Sequence, residues 1–474
     1  MRLPAASFRM SPAPGFRTIA LIIASAMFME QLDGTILATA LPSMATSFDV
    51  SPLHMSVALT SYMLSLAVFI PASGAVADRY GARDVFRTAI VLFTLGSMLC
   101  GIAPNLPTLV LARLLQGIGG AMMVPVGRLV LLRSVPKHEL VSAMSWLLVP
   151  ALIGPVIGPP LGGLIVTWLS WRWIFYINLP IGIVGFILAT RFVPDVRAAE
   201  RTPFDGLGFV LSGISLSCLV FGLELASRGA TSPLGSTGLV AGGLAVGALY
   251  IWHARRTRYP LLDLSLMRYQ TFRLSVVGGS LTRITAGSVP FLLPLMMQLG
   301  FGMSAAHSGI VTFVSALGAM AMKATAAPLL RRFGFRSVLV WNGVLSLAFI
   351  ALCAAFRPDW PLWIIYAVLL IGGFFQSLQF TAYNTVAYAD VPSERFSSAT
   401  SFYTTFQQLM LSLGICVAAA SLHASVTFSG HTQAQIGDFS VAFLVVTIVS
   451  LFAAPICALL PRNAGAEMSG HRAR

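Results

Sequence analysis

Two acidic residues, Glu30 and Asp33, lie inside the first long apolar stretch of the sequence. Side chains three positions apart project from nearly the same face of a helix. Ionised carboxylates that face lipid are energetically costly, so both residues are expected to face the interior of a helical bundle or a water-filled cavity. A carboxylate in such a place can bind and release a proton, and the pair therefore predicts a proton-coupling site.

Arg113 is a third charged residue within an apolar stretch. Because a helix rises about 1.5 Å per residue, Asp33 and Arg113 both lie about 10 Å from the outer ends of their spans. The matched depth predicts that the two side chains approach each other. Arg113 would favour the ionised form of Asp33 when close and lose this effect when the bundle rocks apart, which would couple protonation to conformation. A static ion pair that only neutralises both charges is the alternative.

The elements that must position these residues are membrane-spanning helices. The 474 residues are 57% hydrophobic and 10% charged, with a mean hydropathy of +0.83, whereas a soluble domain carries about 25% charged residues. Across repeated apolar stretches, only a helical bundle satisfies the backbone hydrogen bonds. The net charge of +14 is dispersed between these stretches, which argues against a nucleic-acid partner. The histidines and cysteines lack metal-like or catalytic spacing, so we expect no metal, no cofactor and no enzyme.

Fourteen spans are predicted from the apolar stretches and the residues that interrupt them. They lie near 18-40, 53-76, 85-103, 106-132, 140-167, 173-193, 206-226, 233-252, 271-298, 304-328, 335-356, 361-386, 396-424 and 437-461. With the N-terminus inside, most of the 30 lysines and arginines are cytoplasmic, and the external loops hold only Arg172, Arg228 and Arg357. This distribution follows the positive-inside rule. We therefore expect a multi-pass protein of a bacterial inner membrane with both termini in the cytoplasm.

An internal repeat divides the predicted bundle. The motif Arg-aromatic-Gly-x-Arg-x-Val at 79–85 recurs 253 positions later, at 332–338. Each copy falls in a short turn between two spans, as expected for two similar halves. The predicted divisions are a cytoplasmic N-terminus at 1-17, a six-helix half at 18-193, two inserted spans with linkers at 194-270, a second six-helix half at 271-461 and a cytoplasmic tail at 462-474.

Five motifs in register give the sequence a resemblance to a known family. They are LDGTILATALP at 32–42, GAVADRYGAR at 74–83, RLLQGIGGA at 113–121, GPVIGPPLGG at 154–163 and WRWIFYINLP at 171–180. In this order they resemble the fourteen-span drug:proton antiporter branch of the major facilitator superfamily, from about Phe28 to Pro461. The second motif departs mildly, with Ala82-Arg83-Asp84 where the family usually has two basic residues. The resemblance implies an all-α major facilitator fold, with two six-helix halves and two inserted central helices.

The second motif is the candidate for a conformational latch. Its members are Gly74, Asp78, Arg79, Gly81 and Arg83. The charged residues lie where helix ends meet, so ion pairs and helix-dipole contacts could hold the cytoplasmic side closed. The alternative is that these charges only signal topology.

The fourth motif is the candidate antiporter motif. Its members are Gly154, Gly158, Pro159, Gly162 and Gly163. The glycines allow close helix approach and the prolines bend the helix, which suits an interface that rocks. Glycine-rich helices also pack statically.

The substrate cavity is predicted from polar and aromatic residues near mid-membrane. Glu30 has Arg283 as its repeat counterpart, and it is expected either to pair with Arg283 in one state or to attract a cationic substrate. Alternatively, Arg283 recruits an anionic substrate group. Two other intramembrane charges, Glu224 and Lys323, are expected at the membrane interfaces. The predicted cavity residues are Gln116, Arg283, Gln376, Gln379, Asn384 and Gln407.

The leading functional hypothesis, implied by the resemblance, is a proton-coupled antiporter that exports amphipathic, drug-like compounds by alternating access. Its partners would be protons, a small-molecule substrate and the lipid bilayer, its energy source the proton gradient, and its functional unit a monomer. A dedicated exporter of one endogenous metabolite is an alternative. A membrane sensor without transport has the same hydropathy, but the intact antiporter motif argues against it. An ATP-driven pump is excluded because the sequence lacks a GxxxxGK[ST] loop.

Overall fold

The computed structural model describes residues 16–134, 140–194, 203–227, 233–392 and 395–469. Within these ranges the chain forms helices and no strands, which confirms the predicted all-α fold. The predicted N-terminal segment up to residue 15, Arg228, parts of the linkers and the last five residues lie outside the described ranges.

In the described part of the chain, the N-terminal half and the two inserted spans consist of the helices α1 to α11, in that order. Short 3-10 segments join α1 to α2 and α3 to α4, so that each pair forms one long span. The helices are α1 (Phe16–Ile36), α2 (Leu41–Phe48), α3 (Ser56–Phe69), α4 (Ser73–Tyr80), α5 (Ala82–Ile102), α6 (Leu106–Ser134), α7 (Leu140–Trp168), α8 (Trp173–Tyr176), α9 (Asn178–Phe192), α10 (Gly206–Ser227) and α11 (Pro233–Arg256).

The C-terminal half begins after a short 3-10 segment, Leu264–Arg268. Its helices are α12 (Gln270–Leu295), α13 (Ala305–Ser337), α14 (Gly343–Cys353), α15 (Leu362–Val386), α16 (Phe396–Phe428), α17 (Ile436–Leu451), α18 (Ala453–Ala458) and α19 (Ala466–Ser469).

The described residues include twelve helices that are long and apolar enough to cross a membrane, together with the shorter apolar helix Ile153–Trp168. One of the twelve, Ala305–Cys353, contains 49 residues. A single helix of that length would be about two and a half times as long as the hydrocarbon core is thick. The backbone of Gly334 leaves the helical region within it, at φ 72° and ψ 161°, which supports two spans in place of one. The total of fourteen spans stays a prediction.

Gly81 and Gly334 occupy equivalent positions in the internal repeat. Both have a positive φ, 94° and 72° respectively, in the region that glycine adopts without a steric penalty. Gly81 separates α4 from α5, and Gly334 divides the long helix described above. The two copies of the motif therefore form turns at corresponding places in the two halves.

A shared hydrophobic core joins the two halves on one side of the bundle, here called the Trp171 side. The core combines residues between 36 and 175 with residues between 291 and 446. On the opposite side, here called the glycine-turn side because Gly81 and Gly334 lie there, residues 19–193 and 274–464 contribute to separate clusters. A hydrogen bond of 3.1 Å from Gln298 Nε2 to the carbonyl of Thr39 also links the halves. The structure is therefore closed on the Trp171 side.

Glu224 of α10 was predicted at a membrane interface, but its side chain is buried inside the protein. It is 1% exposed and lies between helices of opposite halves. Ser56 of α3 donates a hydrogen bond to one carboxylate oxygen, and Cys416 of α16 contacts the other at 3.3 Å. The prediction was wrong because α10 packs against α3 and α16, so that a residue near its end is covered by protein. The inserted helix thus joins both halves.

Candidate functional site

Asp33 and Arg113 form a fully buried ion pair. Arg113 Nη1 lies 2.5 Å from Asp33 Oδ2, and the two side chains are 0% and 1% exposed. The contact that their matched depths predict is confirmed.

Gln116 and Asn178 complete the hydrogen bonding of Asp33. Gln116 Nε2 donates to Asp33 Oδ1 at 2.9 Å, and Asn178 Nδ2 donates to the same oxygen at 3.3 Å. Gln116 Oε1 also accepts from Arg113 Nη1 at 2.9 Å. Because Gln116 follows Arg113 by three residues, both project from one face of α6. The carboxylate is thus held by side chains from α6 and α9.

Arg113 is fixed in turn by α3. Its Nε donates to the carbonyl of Ala58 at 3.0 Å, and its guanidinium carbon lies 4.3 Å from the centre of the Tyr62 ring. Helices α5 and α6 can approach closely here because Gly96 has no side chain: a Cβ at this position would overlap the backbone of Gln116. The pair therefore lies at a junction of α1, α3, α5 and α6, where any change in the packing of these helices alters its surroundings.

Asn178 is the member of this network that the sequence interpretation did not single out. Its Nδ2 also donates to Ser97 Oγ at 3.0 Å, and Ser97 Oγ donates to the carbonyl of Phe175 at 2.8 Å. The available signal was an amide at the end of the motif WRWIFYINLP. The intervening residues place this amide in the first turn of α9, next to α5 and α1.

Glu30 lies near Asp33 on α1 but outside the network. It is 8% exposed, and its Oε2 has no hydrogen-bond partner. Its proposed partner Arg283 donates instead to Asn384 Oδ1 at 3.2 Å and Gln407 Oε1 at 3.5 Å. In this conformation the two residues do not form an ion pair.

A cavity of about 420 Å³ lies between the two halves. Its walls come from α1 and α7 on one side and from α12, α13 and α15 on the other. Most of the lining is apolar, as is usual for small-molecule sites. Polar atoms come from the threonine and serine residues Thr35, Thr39, Thr312, Ser315 and Ser377, and from Gln376 and Lys323.

Of the six predicted cavity residues, only Gln376 lines this cavity directly. Arg283 lines a small adjoining recess, with Asn384 and Gln407 bound to its guanidinium. Gln116 is 0% exposed within the Asp33 network, and Gln379 is 1% exposed. Gln379 instead contacts Asn342 and the carbonyl of Leu339. The predictions for Gln116 and Gln379 were wrong because the sequence does not show how α6 and α15 are rotated about their axes.

Lys323 lies on the cavity wall, whereas the sequence interpretation directed it to the membrane interface. Its Nζ donates to Thr381 Oγ1 of α15 at 2.9 Å. Lys323 is an exposed residue, and its contact with Thr381 joins α13 to α15 at the cavity wall. The sequence carries no signal for this choice because both directions suit a long cationic side chain.

The antiporter motif brings α7 against both halves. A Cβ at Gly158 or Gly162 would overlap Thr35 or Thr39 of α1, and a Cβ at Gly154 would lie 3.0 Å from Gln31. The glycines at this four-residue spacing share one face of α7. Gly163 lies on another face of α7, where a Cβ would overlap the backbone of Ala305 on α13.

Pro159 of the same motif lines the cavity, and its carbonyl lies against Gly309 of α13. The close helix approach that the motif predicts is therefore present, both within the N-terminal half and between the halves. Its role in transport stays a prediction.

The latch residues surround the turn at Gly81. Arg83 Nε lies 3.7 Å from Asp84 on the same helix, and Arg87 Nη1 lies 3.2 Å from that carboxylate. Arg79 stacks over its neighbour Tyr80. These contacts lie within α4 and α5 and do not join the two halves. The structure is closed on the Trp171 side and not on this one, so the latch stays a prediction.

Within the described part of the chain, no group of three or more His, Cys, Asp or Glu residues could hold a metal ion. None of the five cysteines, all of which lie in the described part of the chain, forms a disulfide.

The sequence model of the Major Facilitator Superfamily matches residues 23–415 and, in a second match, residues 275–471. The chain belongs to the Major Facilitator Superfamily. Solved structures agree with this fold: that of a D-xylose-proton symporter has a TM-score of 0.68 at 14% identity and covers 94% of this chain and 98% of its own. The nucleoside transporter NupG has a TM-score of 0.64 at 16% identity, with 94% and 98% covered.

Curated relatives of this superfamily member are much more similar in sequence. A putative multidrug resistance protein MdtD from Escherichia coli O17:K52:H18 is 41% identical over 441 residues, which covers 91% of this chain and 93% of the relative. The protein of the same name from Cronobacter sakazakii is 41% identical over 448 residues, with 93% and 94% covered. The likeness extends through both halves and the inserted helices.

Proposed function

We propose that this protein is a proton-coupled antiporter that exports amphipathic, drug-like compounds by alternating access. The relatives named as multidrug resistance proteins support the substrate class. The buried pair of Asp33 and Arg113 is the observation that carries the coupling mechanism. The energy source is the proton gradient, and no cofactor takes part.

The structure suits one half of a transport cycle. With the Trp171 side closed, the cavity and the Asp33 network are separated from that side by the shared core. The excess of Lys and Arg near the Gly81 and Gly334 turns assigns the glycine-turn side to the cytoplasm. Both termini then lie in the cytoplasm, the conformation faces inward, and the protein acts as a monomer in a bacterial inner membrane.

Proton exchange at Asp33 requires its network to open. In the closed arrangement Arg113, Gln116 and Asn178 all contact the carboxylate. Because α1, α6 and α9 all belong to the N-terminal half, this opening requires α6 and α9 to shift relative to α1 within that half, which removes donors and favours the protonated carboxyl. Glu30, which lies near Asp33, provides a second buried acid that can accept a proton.

Transport in proteoliposomes with an internal pH reporter tests this function. A panel of neutral, anionic and cationic aromatic compounds is offered to the wild type, to Asp33→Asn and to Arg113→Gln. We expect substrate-driven proton movement in the wild type and none in either variant. Asp359→Asn is the matched control because Asp359 is an exposed carboxylate between α14 and α15.

Equal proton movement in the wild type and in Asp33→Asn would overturn the coupling role. A thermal unfolding curve for each purified variant separates a loss of coupling from a loss of folding. The double variant Asp33→Asn/Arg113→Gln removes both buried charges together, so it remains folded where a single variant leaves one charge unpaired.

A further inference from the structure

The charged groups around the cavity are unevenly distributed between the halves. Among the described residues that line the cavity, Lys323 is the only charged one and none is a carboxylate. Glu30 and Asp33 are 8% and 1% exposed and lie in the N-terminal half outside the lining. The cavity therefore presents a positive charge to its contents and no negative one.

Arg283 adds a second cation to the same wall. The side chain is 3% exposed, and it lines the recess that shares Ala286, Gln376 and Phe380 with the main cavity. Its guanidinium lies 5.5 Å from the ring of Phe380, while Lys323 donates to the next residue, Thr381. Both cations thus reach one short segment of α15.

The partners of both cations are neutral. Arg283 contacts the amide oxygens of Asn384 and Gln407 and the ring of Tyr403, and its Nε has no hydrogen-bond partner. Lys323 contacts a hydroxyl. Within the described part of the chain, neither cation pairs with a carboxylate. Amides and hydroxyls satisfy donors but do not compensate charge, and an uncompensated cation within the membrane is costly.

The volume and the apolar lining of the cavity indicate what size and kind of ligand it can hold. A volume of about 420 Å³ falls in the range of about 300 to 1,000 Å³ that is usual for small-molecule sites. Val289, Leu293 and Pro155 provide an apolar surface near the cations. The cavity suits a compound with an aromatic or aliphatic body and an acidic group.

We propose that the exported substrates are amphipathic anions, whose acidic group binds to Lys323 and Arg283. This inference rests on the proposed antiport function and narrows its substrate class. It selects one of the two charge preferences that the sequence left open. Substrate charge then compensates the two cations, and Glu30 and Asp33 are left for protons.

The charge transferred in each cycle distinguishes the two substrate classes. One proton entering and one monovalent anion leaving move two positive charges inward, whereas exchange of a proton for a monovalent cation moves none. Each charge that crosses a potential of 100 mV contributes about 2.3 kcal/mol. An inside-negative potential therefore accelerates anion export and leaves one-for-one cation exchange unchanged.

Two probes of matched shape test the proposal: 1-naphthalenesulfonate and trimethyl(1-naphthyl)ammonium. Their charges are permanent, so neither changes its own protonation during the assay. Export is measured in proteoliposomes with an imposed pH gradient, with and without a potassium diffusion potential. We expect the sulfonate to be exported about tenfold faster than the ammonium, which corresponds to about 1.4 kcal/mol, and to respond to the potential.

Substitutions at Lys323 and Arg283 distinguish an effect of side-chain charge on export from an effect of side-chain packing. Lys323→Met keeps the length of the side chain and removes its charge, and we expect it to lower sulfonate export about tenfold. Lys323→Arg restores the charge and should restore export. Arg283→Gln should also reduce sulfonate export, while Arg258→Gln, at an exposed position after α11, should not.

The failures of the two proposals are distinguishable. Proton movement driven by the ammonium probe and not by the sulfonate would overturn the anion inference and leave the antiport function intact. Equal sulfonate export by the wild type and by Lys323→Met/Arg283→Gln would also overturn it. If neither probe moves protons but another compound of the panel does, the anion inference fails and the antiport function stands; if no compound of the panel does, both proposals fail.

Discussion

Asp33 and Asn178 are joined by a hydrogen bond of 3.3 Å from the amide Nδ2 to the carboxylate Oδ1. The same Nδ2 donates to Ser97 Oγ, so the amide links α1, α5 and α9. Asp33 thereby depends on a residue 145 positions away in the sequence. The ion pair with Arg113 is therefore only one part of the environment that holds this carboxylate.

Replacing Asn178 with leucine should slow proton-coupled transport about tenfold. The change removes a donor to a charged group, and such hydrogen bonds contribute about 1.5 to 3 kcal/mol. Substrate-driven proton entry into vesicles is the measurement, and Asn463→Leu, an exposed asparagine near the C-terminus, is the control. Unchanged proton entry in Asn178→Leu would show that the amide has no part in coupling.

Glu30 and Asp33 should respond oppositely to removal of their charge. Asp33→Asn leaves Arg113 buried without its counterion, which should cost about 3 to 5 kcal/mol of stability. Glu30→Gln replaces a buried carboxyl that has an unpartnered oxygen and should maintain or raise the Tm. Thermal unfolding in detergent measures both. A lower Tm for Glu30→Gln than for Asp33→Asn would contradict the assignment of the ion pair.

Replacing Glu224 with alanine should loosen the Trp171 side. The change removes the hydrogen bond to Ser56 and the contact with Cys416, and so weakens the link of α10 to both halves. A cysteine introduced by Leu41→Cys, at a position buried in the shared core, reports opening through its reaction with an impermeant maleimide. We expect several-fold faster labelling than in the same reporter with Glu224 intact. Equal labelling rates would mean that the inserted helix does not stabilise closure.

Gly163→Ala should hinder closure of the Trp171 side because its Cβ would overlap the backbone of Ala305. Overpacking of this kind costs about 1 to 3 kcal/mol. Faster labelling of the Leu41→Cys reporter and slower export are both expected. Gly437→Ala is the control because a Cβ there meets no atom within 4 Å. An effect of the same size in both glycine variants would exclude a specific role for the contact between α7 and α13.

Asp205, just before α10, should give a measurable pH dependence of stability. Burial alone would raise its pKa, but hydrogen bonds from His253 and from the backbone N–H groups of Gly208 and Leu261 outweigh burial and lower the pKa. A lowered pKa contributes stability that is fully present above the unfolded pKa of about 3.9 and is lost as the pH falls through the folded value.

The measurement for Asp205 is the Tm of the wild type and of Asp205→Asn between pH 7 and pH 3. The difference should shrink below about pH 4, as Asp205 is protonated. A difference that disappears between pH 7 and pH 5 would point to another titrating group.

The sequence predicted what depends on order and depth along the chain. The contact of Asp33 with Arg113 followed from their positions in oppositely directed spans, and the turns at Gly81 and Gly334 followed from the repeat. What failed depended on helix rotation and on neighbours remote in the sequence. Gln379 was assigned to the cavity and Glu224 to the interface, because a mainly apolar span does not reveal which of its faces contacts protein.

The two halves have diverged in the charges that they hold. The buried acids near the centre, Glu30 and Asp33, belong to one half, whereas the uncompensated cations Arg283 and Lys323 belong to the other. The proposed proton coupling and the proposed substrate binding thus use residues from different halves of the chain. A chimera that exchanges only the C-terminal half between two relatives should acquire the donor's substrate range and keep the recipient's proton dependence.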